Sequence, residues 1–129
     1  MQTDIPPDAD PAIRTIAMSS DTNPAGDIFG GWLLSQMDLA AGSVAARYAR
    51  GRCVTVAIDK IVFVEPVKVG DEVTVYALLV ETGRSSMKFE VSAWRRMCDG
   101  EDVRKVTGAL FTFVALGSDG RPRPLLPAK

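Results

Sequence analysis

Residues 31–48 constrain the fold more than any other stretch, because there alone the apolar residues recur at a convincing helical period. Leu33, Leu34, Met37, Ala40, Ala41, Val44, Ala45 and Tyr48 form one continuous face. The segment is also crowded with small residues, Ala40, Ala41, Gly42, Ser43, Ala45 and Ala46, which let other backbone come close. Such a helix is surrounded by its neighbours rather than laid on a surface. Gly51, following the basic residues Arg47 and Arg50, marks its stop and puts positive charge at the negative end of the helix.

Everything else with a period reads as strand. Residues 12–18 alternate weakly around the β-branched Ile13, Thr15 and Ile16. After the helix, residues 53–64 are rich in Val, Ile, Thr and Phe and run to Pro66. Val73, Val75, Ala77 and Leu79 alternate along residues 72–81, and Met87, Phe89, Val91 and Ala93 along residues 86–97. A last strand is expected over residues 103–116. Short turns, Thr82-Gly83-Arg84-Ser85 among them, join these strands and imply antiparallel neighbours. The sequence therefore predicts an α+β fold, one long central helix wrapped by a curved antiparallel sheet of about five strands. The expected organisation is a flexible leader over 1–11, one domain over 12–117 and an irregular, proline-rich tail over 118–129.

With 129 residues and 47% of them apolar, the chain can bury one core but not two. Its formal charge of −1 lacks the one-sided basic balance that phosphate backbones require, so nucleic acid is not an expected partner. The first eleven residues are polar, acidic and proline-containing, without the basic start and apolar run of a secretory signal, and a cytoplasmic location is expected. Asp38, Asp59 and Lys60 interrupt the most apolar stretches, and no membrane span is expected. Cys53 and Cys98 have no metal-ligand spacing and are read as small core or near-surface residues. Histidine is absent, which removes the Ser-His-Asp triad, the Cys-His pair and histidine-containing zinc sites. Acid–base chemistry is left to carboxylates, Lys, Tyr, Cys or bound water.

Among those groups Asp38 stands out. Helical geometry places it beside Leu34, Ala41 and Gly42, at the border of the apolar face. A carboxylate there gains nothing from capping or from the helix dipole. Two readings follow, a side chain reaching water or an arginine, and a general base or nucleophile held in a cleft. The preceding Gly26-Asp27-Ile28-Phe29-Gly30-Gly31-Trp32 favours the second, since it feeds a glycine-marked loop into a helix N-terminus whose unpaired N–H groups can bind an oxyanion. The same glycines would also serve a tight approach to the sheet.

The run Asp21-Thr22-Asn23-Pro24-Ala25-Gly26-Asp27-Ile28-Phe29-Gly30-Gly31-Trp32-Leu33-Leu34-Ser35-Gln36-Met37-Asp38 resembles the signature of YciA-type acyl-CoA thioesterases, relatives of the brain acyl-CoA hydrolases. The likeness continues through Val54-Thr55-Val56-Ala57-Ile58-Asp59-Lys60, Pro66-Val67-Lys68-Val69-Gly70-Asp71 and Gly83-Arg84-Ser85-Ser86, and spans roughly residues 13–124. The resemblance implies a hotdog fold and hydrolysis of acyl-CoA thioesters to CoA and a carboxylic acid. It implies a homo-oligomer, a dimer at least and a trimer of dimers at its fullest. It implies a catalytic pair, Asn23 and Asp38, brought to one site by different subunits, with backbone donors near Gly31 facing the carbonyl. Arg84, Ser85 and Ser86 match a segment near the nucleotide of CoA, and Lys60 is a further candidate with an ordinary surface role as its alternative. Glu65 departs from the basic or neutral residue expected there. No cofactor or metal is expected, CoA being part of substrate and product. A different class, a silent hotdog module that binds CoA or a nucleotide as a sensor, would keep the fold without the turnover.

Overall fold

The computed structural model describes residues 5–125. Its elements follow the expected order: β1 (Ile13–Ile16), α1 (Gly30–Ala49), β2 (Cys53–Asp59), β3 (Glu72–Thr82), β4 (Ser86–Arg96) and β5 (Val103–Ala115), with one 3-10 turn over Ser19–Asp21. The five strands form a single antiparallel sheet in the order β1-β3-β4-β5-β2. The sheet curls around α1, which touches β2, β3, β4 and β5.

The small residues of the helix make that grip possible. Ala40, Ala41, Ala45 and Ala49 are wholly buried, and Leu33 and Met37 fill the space beside them. A Cβ added at Gly42 would sit 3.6 Å from the ring of Phe113, an ordinary contact distance. From the sheet come Val73, Val75, Met87, Phe89, Val91, Phe111 and Phe113, and the rings of Phe89 and Phe113 meet edge to face at 5.9 Å. Tyr48, assigned by its spacing to the apolar face, is instead exposed in the last turn of the helix.

The helix ends on Arg50, which takes the left-handed conformation expected of the glycine beside it. Gly51 has another reason to be glycine: the guanidinium of Arg123 lies 2.8 Å from where its Cβ would stand. That guanidinium donates to the carbonyl of Ala49 at 2.8 Å and, through Nε, to that of Leu116 at 3.1 Å. Residues 118–125 thus carry no helix or strand, yet they are fastened. Leu116 and Pro122 form a bridge, and the N–H of Leu125 reaches the carbonyl of Arg84.

One strand is shorter than its composition predicts. β2 stops at Asp59, because Lys60 adopts a positive φ of 48° that no ladder accommodates. Val62 and Val64 still run beside β5, held by Thr107 Oγ1 to the Val62 carbonyl and by the Val64 N–H to Val106, but outside the sheet. Among the described residues, no helix is long and apolar enough to cross a membrane.

Two edges of the sheet are left unpaired by the chain. On β2, Val54, Val56 and Ile58 are exposed, and Leu39 on the helix is 62% exposed. A β-bulge falls between Thr55 and Ala57, where the register against Phe113 and Thr112 slips. Bulges at sheet edges bend the strand and re-aim its side chains.

Candidate active site

Asp38 is neither in open solvent nor paired with an arginine. It lies half-buried in the third turn of α1, facing β2, and its Oδ1 accepts a hydrogen bond of 2.6 Å from the hydroxyl of Thr55. Thr55 pairs with Phe113 immediately before the bulge, so the strand's irregularity sits beside the carboxylate. Among the described residues Thr55 is the one hydrogen-bond partner of the Asp38 side chain. The second carboxylate oxygen has no hydrogen bond among the described residues.

Thr55 is the residue that reading the sequence missed. Within Val54-Thr55-Val56 a threonine is what any strand would carry, since β-branched residues suit the pleat. Only the fold, which sets β2 against the third turn of the helix, gives that hydroxyl an acceptor.

Asn23 lies in the loop before the helix and is half-buried. Its Oδ1 accepts the N–H groups of Ala25 at 3.0 Å and Asp27 at 3.1 Å, while its own N–H reaches the Asp27 carbonyl at 2.7 Å. With the carbonyl end of the amide engaged inside the loop, the NH2 end remains as a donor without a bond among the described residues. The loop is closed further by the Thr22–Ile28 bridge and by an ion pair between Asp27 and Lys68. Among the described residues no hydrogen bond joins Asn23 to Asp38.

The helix starts at Gly30, and its first hydrogen bonds run from Trp32 and Leu33 to the carbonyl of Phe29. The amides of Gly30 and Gly31 therefore precede the intrahelical ladder. The two glycines have different reasons. A Cβ at Gly30 would come 3.3 Å from the ring of Phe63, whereas at Gly31 it would meet nothing within 4 Å. Packing within the chain explains the first, and leaves clear space at the second.

The residues expected near CoA lie elsewhere. Arg84 and Ser85 lie in the β3–β4 turn and Ser86 opens β4, with the Ala115 N–H donating to the Ser85 carbonyl. Arg84 is exposed, and Ser86 Oγ stands 2.5 Å from the Cβ position of Gly83, so a larger residue there would require the serine hydroxyl to rotate away. This turn borders the C-terminal end of α1; Asn23 and Gly31 belong to the N-terminal end. Lys60 follows Asp59, which pairs with Leu110, whereas Ser86 pairs with Val114. Those four residues of β5 put about 13 Å of strand between Lys60 and the turn. Glu65, the departure from the resemblance, is neutralised by Arg95 at 3.0 Å and Arg104 at 3.7 Å. Arg95 also lies 3.6 Å from the buried Asp71.

One chain thus holds the expected site residues at four places: Asn23 and Gly31 at the start of the helix, Asp38 in its middle against the edge strand β2, Arg84 to Ser86 near its end, and Lys60 just past β2. Comparison with known proteins gives this dispersal a context. A family model described as the thioesterase superfamily matches residues 25–98. The acyl-CoA thioester hydrolase YciA of Escherichia coli (strain K12) is 43% identical over 122 residues, which cover 92% of this chain and 92% of that protein. An uncharacterized acyl-CoA thioester hydrolase of Zymomonas mobilis is 53% identical over 121 residues, covering 94% of this chain and 81% of the other. Among solved structures, the hexameric thioesterase y2039 from Yersinia pestis matches with a TM-score of 0.89 at 43% identity, over 95% of this chain and 99% of its own. Sequence blocks, element order and sheet topology agree, and the chain belongs to the thioesterase superfamily, within it to the YciA-type acyl-CoA thioester hydrolases.

Proposed function

We propose that this protein hydrolyses acyl-CoA thioesters to CoA and a carboxylic acid, as an assembly of identical subunits whose sites are shared between them. The observation that carries the reading is the Asp38–Thr55 hydrogen bond, which fixes a half-buried carboxylate beside the open edge of β2. A second copy pairing along that edge would cover Val54, Val56 and Ile58 and bring a neighbouring helix start towards Asp38. The hexameric state of the Yersinia relative supports a trimer of such dimers.

In this reading the thioester carbonyl lies against the amides of Gly30 and Gly31, which stabilise the charge that develops on its oxygen. The NH2 of Asn23 donates to the same carbonyl. Asp38 of the facing subunit, oriented by Thr55, takes a proton from water as the water attacks, or attacks directly to give an anhydride that water then opens. Either way the C–S bond breaks and CoA leaves as the thiol, its sulfur taking the proton that Asp38 removed from water in the first route and a proton from solvent in the second. Arg84, Ser85 and Ser86 supply a cation and hydroxyls for the phosphates and nucleotide of CoA, and Lys60 a second cation. None of these steps needs histidine, a metal or a cofactor.

The test is turnover on a panel of acyl-CoA thioesters, read as release of free thiol. Hydrolysis of at least one chain length is expected. Binding of CoA without turnover of any would replace the hydrolase by a sensor of the same fold.

A further inference from the structure

Beside the start of α1 lies a cleft of about 210 Å³. Ile28, Leu33, Val67 and Val106, all buried, make its floor, and the half-exposed ring of Phe63 makes its outer wall. Phe63 rests directly on Gly30, so the wall is set by contact with the turn that carries the amides proposed to bind the thioester carbonyl. Two carboxylates, Asp27 and Glu65, also line the cleft. Each is already matched, Asp27 by Lys68 and Glu65 by Arg95 and Arg104. The cleft therefore offers an apolar interior and cations already engaged with its own rim.

That combination suits one kind of occupant. An alkyl chain gains about fourfold in binding for each methylene it buries, the equivalent of about 0.8 kcal/mol. A terminal carboxylate would lose its hydration there and meet two carboxylates already sharing the nearby cations. A chain beginning at a carbonyl held by Gly30 would start at the mouth of this cleft. Resting on the thioesterase reading above, we infer that the cleft receives the acyl tail of the substrate, and that Phe63 and Val106 set which neutral acyl groups are accepted.

The experiment measures kcat/KM for the full chain on saturated acyl-CoAs from acetyl to dodecanoyl and on succinyl-CoA, for the unaltered protein, Phe63→Ala and Val106→Leu. The profile should climb about fourfold per methylene to a maximum as the cleft fills. Succinyl-CoA should fall at least roughly tenfold below butyryl-CoA. Phe63→Ala, which removes a half-exposed ring and leaves the buried floor intact, should move the maximum to longer chains. Val106→Leu should move it to shorter ones. A maximum unmoved by both folded variants, or succinyl-CoA turned over as well as butyryl-CoA, would show that the tail lies elsewhere. Absence of hydrolysis with every thioester is a separate result, which would remove the catalytic reading and this one with it.

Discussion

A carboxylate acts in a defined direction when one of its oxygens is held, and Thr55 does the holding for Asp38. Removing the proposed base with Asp38→Asn should cost roughly a hundredfold or more in kcat, the usual contribution of general-base catalysis. Thr55→Val keeps the β-branched shape and deletes only the donor. Hydrogen bonds to charged groups contribute about 1.5–3 kcal/mol, so kcat should fall roughly ten- to a hundredfold with the fold intact by circular dichroism. Full activity in Thr55→Val would take the hydroxyl out of the mechanism. Cys53 offers a separate check on the packing. Burial pushes its thiol above the ordinary value of 9.0, with Arg123 partly opposing. The unfolded chain then gives up that proton first, so the contribution to stability is complete below about pH 9 and is lost as pH rises through the folded value. Urea midpoints of a Cys53→Ala variant should accordingly fall less steeply above that pH than those of the parent. Of these residues, Asp38 was legible as a carboxylate misplaced on an apolar face. Thr55 was not, because its acceptor lies seventeen positions away and only the tertiary fold joins them.

At the scale of elements, the helix was readable because its period and its small residues both follow from being enclosed. Its core positions can be tested by volume. Ala45 is fully buried, and Ala45→Leu should cost about 1–3 kcal/mol in denaturant-derived stability through overpacking. Gly42→Ala places a methyl at ordinary contact with Phe113 and restrains the unfolded chain, so it should be neutral or stabilising by up to about 1 kcal/mol. If Ala45→Leu cost nothing, the helix would not be gripped as tightly as the structure has it. The strands were readable from alternation, except where β2 ends. Residues 61–64 have strand composition but lie outside the ladder, since the break depends on one backbone torsion at Lys60 that its side chain does not announce. The bulge at Val56 is hidden for the same reason, being a matter of register between strands rather than of composition.

For the whole molecule, the sequence carried the fold class and the family, whereas the geometry of the proposed site is one that a single chain does not complete. The proposed partners Asn23 and Asp38 each bond within their own neighbourhood, and the apolar β2 face beside Asp38 is open. A shared site makes a specific prediction. Asn23→Ala and Asp38→Asn subunits, each nearly inactive alone, should regain activity when unfolded and refolded together. Random assortment gives roughly a quarter of the parental rate, because half the pairs are mixed and each mixed pair has one intact centre. No recovery, with mixed oligomers demonstrated by mass spectrometry, would place both residues in the same subunit's site.

The open margin of β2 also bears on how the protein behaves when scarce. If the reacting groups meet only across that margin, specific activity depends on how much protein is present: serial dilution should bring a fall in rate per milligram at the concentration where light scattering first detects dissociation. A solitary subunit would be folded, substrate in reach, and idle.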